Sequence, residues 1–134
     1  MTVVKGETTP LQTEADLVRV RQVVRQWALQ QGFSLVEQTK MVTATSELAR
    51  NTLIYGGGGT VQLEALTRGN RHGLRVSFMD QGPGIPDIAQ AMTDGYTTGE
   101  GLGLGLGGAK RLVNDFEITS SPGAGTRVCI TKWK

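Results

Sequence analysis

The sequence predicts a two-layer α/β sandwich of the α+β type, with helices on one face of a mixed, largely antiparallel sheet. Three observations carry this. Two stretches with apolar residues at helical spacing come first, each opened by a hydroxyl residue with an acidic residue three positions on. Two stretches of strict apolar/polar alternation follow, joined across a Gly-Asn turn, and further strand-like segments flank a second glycine turn near the C-terminus. Helices followed by hairpin-linked strands segregate into one helical layer on one antiparallel sheet.

Residues 1 to about 12 lack periodicity and include Pro10, which leaves a frayed tail and an edge strand built on Val3-Val4 both open. Thr13 with Asp16 opens a helix whose apolar stripe is Leu17, Val20, Val24, Trp27 and Ala28, and Gly32 ends it. Ser34 with Glu37 is a second capping box, and the helix it opens runs toward Tyr55, where Gly56 to Gly59 stop it. Val61, Leu63 and Ala65 alternate with Gln62 and Glu64, and Leu74, Val76 and Phe78 alternate with Arg75 and Ser77, as an amphipathic hairpin requires. Asp80 terminates the second of these strands, and Pro86 suits the first turn of a short helix through Met92. Gly107-Gly108 leads into a helix expected to end near Asp115. Ile118, and Val128 with Ile130, mark two further strands around Pro122-Gly123-Ala124-Gly125.

A chain of 134 residues fits one domain, 1–134, that buries roughly two-thirds of its unfolded surface. The net charge of +2, with no basic run longer than Lys110-Arg111, argues against nucleic acid as a partner. The single cysteine, Cys129, cannot form an internal disulfide and reads as a buried, inert thiol. No apolar run approaches 18 residues and no secretory pattern opens the chain, so the expectation is a cytoplasmic protein without a membrane segment.

Glu47 and Asn51 are four apart on the second helix and share a face. An Asn amide oxygen suits Mg²⁺ already neutralised by phosphates, and a neighbouring carboxylate suits removal of a proton from an attacking hydroxyl. A solvated helix face is the plainer reading of the same pair. Asp80 at a strand end suits an exocyclic amine, with Gly82 and Gly84 clearing room for a flat ring and Ile85 packing on it. An ordinary Asp-Gly-Pro turn is the alternative.

The run Gly101-Leu102-Gly103-Leu104-Gly105 lacks the Lys-Ser/Thr that a Walker A loop needs. Gly103, Gly105 and Gly108 match the dinucleotide spacing, but the polar segment Asp94 to Glu100 stands where an apolar strand is required. What remains is a lid closing over phosphates. Lys110-Arg111 reads as a solvated pair or as help with phosphate charge, and His72 as a surface residue of the hairpin turn.

Together, Glu47-Leu-Ala-Arg-Asn51, Asp80-Gln-Gly-Pro-Gly84, Gly101-Leu-Gly-Leu-Gly105 and Gly123-Ala-Gly-Thr126 resemble the ordered boxes of the Bergerat-fold, or GHKL, ATPases. Within that superfamily the chain is most similar to the RsbT-like serine-protein kinases, which are partner-switching regulators related to anti-sigma factor kinases. The resemblance implies that ATP and Mg²⁺ are the cofactors, that Asn51 binds Mg²⁺, and that Asp80 contacts the adenine amine. It also implies that the lid from Gly101 to Gly105 covers the phosphates, that Thr126 lies near the base, and that Glu47 is the general base. The partners implied are an RsbS-like STAS-domain protein carrying the substrate serine, a stressosome-type complex, and a downstream RsbU-like phosphatase. Two other functions share the pocket: an anti-sigma factor kinase that sequesters a sigma factor, and a nucleotide-gated binding module without kinase activity. A histidine kinase fragment fits least, because the chain lacks a helical phospho-acceptor histidine and a dimerising hairpin.

Overall fold

The computed structural model describes residues 1–85, 92 and 105–134. Strand β1 (Thr2–Leu11) precedes helices α1 (Glu14–Gln30) and α2 (Leu35–Ile54), the hairpin β2 (Gly59–Arg68) and β3 (Arg71–Asp80), a short helix α3 (Gly105–Arg111), and strands β4 (Asp115–Ser120) and β5 (Thr126–Trp133). The five strands form one sheet of order β1-β2-β3-β5-β4, and every pairing in it is antiparallel. The N-terminal segment is thus an edge strand rather than a tail. Its register shifts between Val3 and Lys5, and Pro10 lacks an N–H, two features that an edge tolerates and that blunt further pairing.

Both capping boxes form. Thr13 Oγ1 accepts from the Asp16 amide at 3.1 Å while the Asp16 carboxylate accepts from the Thr13 amide at 3.2 Å. Ser34 and Glu37 repeat the exchange at 3.1 and 2.9 Å. At the far end of α1 the Phe33 amide reaches the Ala28 carbonyl and the Gly32 amide the Leu29 carbonyl, with Gly32 at φ 84°, which closes the helix as a Schellman motif.

The apolar stripe of α1 and the Met41, Ala44 and Leu48 arc of α2 lie buried on the sheet face made by Val61, Leu63, Leu74, Val76, Phe78, Val128 and Ile130. Burial of the Val, Leu, Ile, Phe and Met side chains among these contributes about 1.5–3 kcal/mol each. Residues on the opposite face pair with one another: Arg75 binds Glu64 at 2.8 Å, Ser77 donates to Cys129 Sγ at 3.4 Å, and the buried Trp133 ring lies against Gly73.

Two boundaries differ from expectation. Helix α3 (Gly105–Arg111) includes Gly107-Gly108 instead of following them, and it stops at Arg111 rather than near Asp115. It ends early because Asn114 joins the sheet, its amide donating to the Thr131 carbonyl at 3.0 Å and its side-chain oxygen accepting from the Trp133 amide at 2.7 Å. The helix expected over 86–92 lies outside the described residues apart from Met92. No helix of the described residues is long and apolar enough to cross a membrane.

Candidate functional site

Asp80 is the last residue of β3, in register with Gly59 on one side and Thr126 on the other. Its Oδ1 accepts two backbone hydrogen bonds, from Gly82 at 2.9 Å and from Thr126 at 3.2 Å. Amide bonds to a carboxylate are charge-assisted, about twice as strong as neutral ones, and two on one oxygen hold the group in a single rotamer. Among the described residues no donor reaches Oδ2, the oxygen on the Gly56 side of the carboxylate.

The segment after Asp80 is locked to the β4–β5 turn. The Gly123 amide donates to the Pro83 carbonyl at 2.7 Å, and the Ile85 amide to Ser120 Oγ at 2.8 Å. Gly84 has φ 81°, and a Cβ there would lie 2.8 Å from the Ser121 carbonyl carbon. At Gly82 an added Cβ would lie 2.7 Å from Gly56 Cα. These two glycines are therefore needed where backbone meets backbone, a reason distinct from clearance for a flat ring. Ile85 is half-buried and packs against the core.

Helix α2 brings the second set of residues. Glu47 is 6% exposed and Asn51, one turn on, is half-buried. The C-terminal end of α2 leads straight to Asp80, because a Cβ on Gly56 would lie 2.5 Å from Asp80 Oδ2. The structure thus brings the α2 terminus, the Asp80 turn and Thr126 together. Gly105, expected in the lid, is a buried residue of α3 at φ 62°, and α3 packs on α2. Gly101, Leu102, Gly103 and Leu104 lie outside the described residues. Lys110 and Arg111 are exposed at the end of α3.

Two residues of this constellation were not singled out from sequence. Ser120 joins Ile85, Gly125 and Thr126 through one hydroxyl, and its signal was a serine ending a strand beside a Ser-Pro-Gly turn. From sequence Gly56 reads only as a helix stop, though the glycine following a helix often marks close backbone approach as well.

The fold and this arrangement define a class that comparison with known proteins makes specific. Residues 36–134 match the family of histidine kinase-, DNA gyrase B-, and HSP90-like ATPases, and the chain belongs to it. Within that family it belongs with the RsbT-type serine/threonine-protein kinases. It is 45% identical over 123 residues to serine/threonine-protein kinase RsbT of Bacillus subtilis, covering 92% of each chain. Anti-sigma F factor of Thermoanaerobacter sp. is 33% identical over 84% of this chain and 82% of that protein. Among solved structures, the RsbU and RsbW domains of a Mycobacterium tuberculosis protein share the fold. The TM-score is 0.65 at 22% identity, over 96% of this chain and 32% of that one.

Proposed function

We propose that this chain uses ATP and Mg²⁺ to phosphorylate a serine on a STAS-domain antagonist, and that loss of this partner lets it engage and activate a downstream phosphatase. The observation that carries the nucleotide site is the Asp80 carboxylate, held through Oδ1 by the Gly82 and Thr126 amides with Oδ2 left to accept from the adenine amine. Ile85 supplies apolar contact for the base, and Gly101 to Gly105 the lid over the phosphates.

The residues fit the cofactors. Among the described residues no cluster of three His, Cys, Asp or Glu could form an all-protein metal cage, whereas Mg²⁺ is characteristically held by one or two protein oxygens together with substrate phosphates. Asn51 supplies such an oxygen. Bound Mg²⁺ neutralises charge on the transferring phosphoryl group. Glu47, one turn before Asn51 and shielded from solvent, accepts the proton of the partner serine hydroxyl as it attacks.

Mixing the protein with Mg²⁺, labelled ATP and candidate STAS-domain partners tests this directly, and label on a partner serine is the expected result. Glu47→Ala should keep ATP affinity while slowing transfer by about 100-fold or more. Unchanged phosphorylation would remove the role given to Glu47. The similarity to anti-sigma F factor favours one further reading, in which the same pocket serves a kinase that sequesters a sigma factor. Co-purification with sigma in place of a STAS-domain protein would select it.

A further inference from the structure

The Ser120 hydroxyl lies 2.8 Å from the Ile85 amide nitrogen, 3.0 Å from the Gly125 carbonyl oxygen and 2.8 Å from Thr126 Oγ1. Its single proton and two lone pairs allow only one complete arrangement. The Ile85 N–H can only donate and the Gly125 carbonyl can only accept, so the proton of Ser120 goes to Gly125. The Thr126 hydroxyl must then donate to Ser120. Reversing that bond would leave the buried Gly125 without this donor and set two oxygens 3.0 Å apart with no proton between them.

Thr126 is left with lone pairs only. It is the register partner of Asp80 and its amide binds the Asp80 carboxylate at 3.2 Å, so the residue whose hydroxyl can only accept is also one that holds the Asp80 carboxylate in place. From this we propose that Ser120 is a positioning residue for base selectivity. By holding the Thr126 proton, it makes this end of the pocket accept from a 6-amino purine and repel a 6-oxo purine. The inference deepens the nucleotide reading above and rests on a purine meeting Asp80.

The test is calorimetric titration of the full chain, with Mg²⁺, by ATP and by inosine triphosphate, which carries a carbonyl in place of the 6-amino group. The wild type should prefer ATP by about 100-fold or more, as sites built around a specific hydrogen bond do. Ser120→Ala frees the Thr126 proton to turn toward the carbonyl and should shrink the ratio by about tenfold. Thr126→Val should shrink it similarly, the double variant no further, and Ser120→Thr should keep it. Because a loosened turn would weaken both nucleotides alike, an intact ratio in Ser120→Ala or in Thr126→Val overturns the proposal. A wild type that does not discriminate, with Asp80→Asn unchanged, overturns the Asp80 reading itself. Discrimination lost in Asp80→Asn but kept in Ser120→Ala overturns only the role of Ser120. In nucleotide-free protein, exchange of the Ile85 amide should accelerate in Ser120→Ala and not in Ser120→Thr; unaltered exchange in Ser120→Ala also counts against the hydroxyl arrangement.

Discussion

A matched pair of substitutions in the glycine run after α2 separates the backbone demands of the fold from those of the site. Gly56 lies outside the positive-φ region, so alanine is acceptable to its backbone, but the new methyl would sit 2.5 Å from Asp80 Oδ2. Because the methyl would also lie 2.6 Å from Asp80 Cβ, side-chain rotation alone does not clear it; the turn must shift, and the carboxylate releases one or both of its bonds to the Gly82 and Thr126 amides. A hydrogen bond to a charged group is worth about 1.5–3 kcal/mol, and each 1.4 kcal/mol is tenfold in affinity, so Gly56→Ala should weaken ATP binding by about 10- to 100-fold. Gly57 is the reverse case: it has φ 74° with nothing within 4 Å of an added Cβ. Alanine there incurs a left-handed backbone penalty of about 1–2 kcal/mol, or about 4–8 °C in melting temperature for a domain of this size, without touching Asp80. Calorimetry with ATP and thermal denaturation on both variants provide the comparison. The reasoning fails if Gly56→Ala binds ATP as the wild type does, or if Gly57→Ala loses more affinity than Gly56→Ala.

Two further outcomes follow from other parts of the fold. The Ser34 amide donates to Glu37 and holds its carboxyl below the ordinary value of 4.5, so this contact stabilises the protein above that pH and is lost as pH falls through the lowered native value. Glu37→Gln should remove that share of acid sensitivity, about 0.5 kcal/mol after solvent screening, and identical acid melting profiles would contradict it. On the outer sheet face, a Cβ at Gly73 would meet the Trp133 ring at 2.6 Å, while the Arg68 and Arg71 guanidinium groups lie 4.9 and 5.5 Å from the ring centroid. Gly73→Ala should cost about 1–3 kcal/mol and red-shift the tryptophan emission; an unshifted spectrum at wild-type stability would show that the ring is not packed there.

Much of the fold was legible along the chain because its signals are local. Thr13 with Asp16, and Ser34 with Glu37, satisfy helix amides within one turn, so each box can be read from four residues. The alternation of Val61, Leu63 and Ala65 against Leu74, Val76 and Phe78 places both strands on one core, and Gly69 at φ 59° suits the tight turn between them. The edge strand was less legible because its outward side chains, Val3 and Val4 among them, follow no alternation once the register shifts. The end of α3 was misplaced because it is set by bonds from Asn114 to Thr131 and Trp133, seventeen and nineteen positions away.

The sequence by itself determined the two capped helices, the central hairpin and the two-layer class, because capping, periodicity and motif order are properties of near neighbours. The tertiary structure decided what these residues do to one another. It alone set Gly56 against Asp80, locked Gly84 under the Ser121 carbonyl and committed the Ser120 proton to Gly125. Those outcomes depend on distances between segments that only the closed antiparallel sheet brings into contact, and hydrogen-bond valence and steric exclusion act at that range.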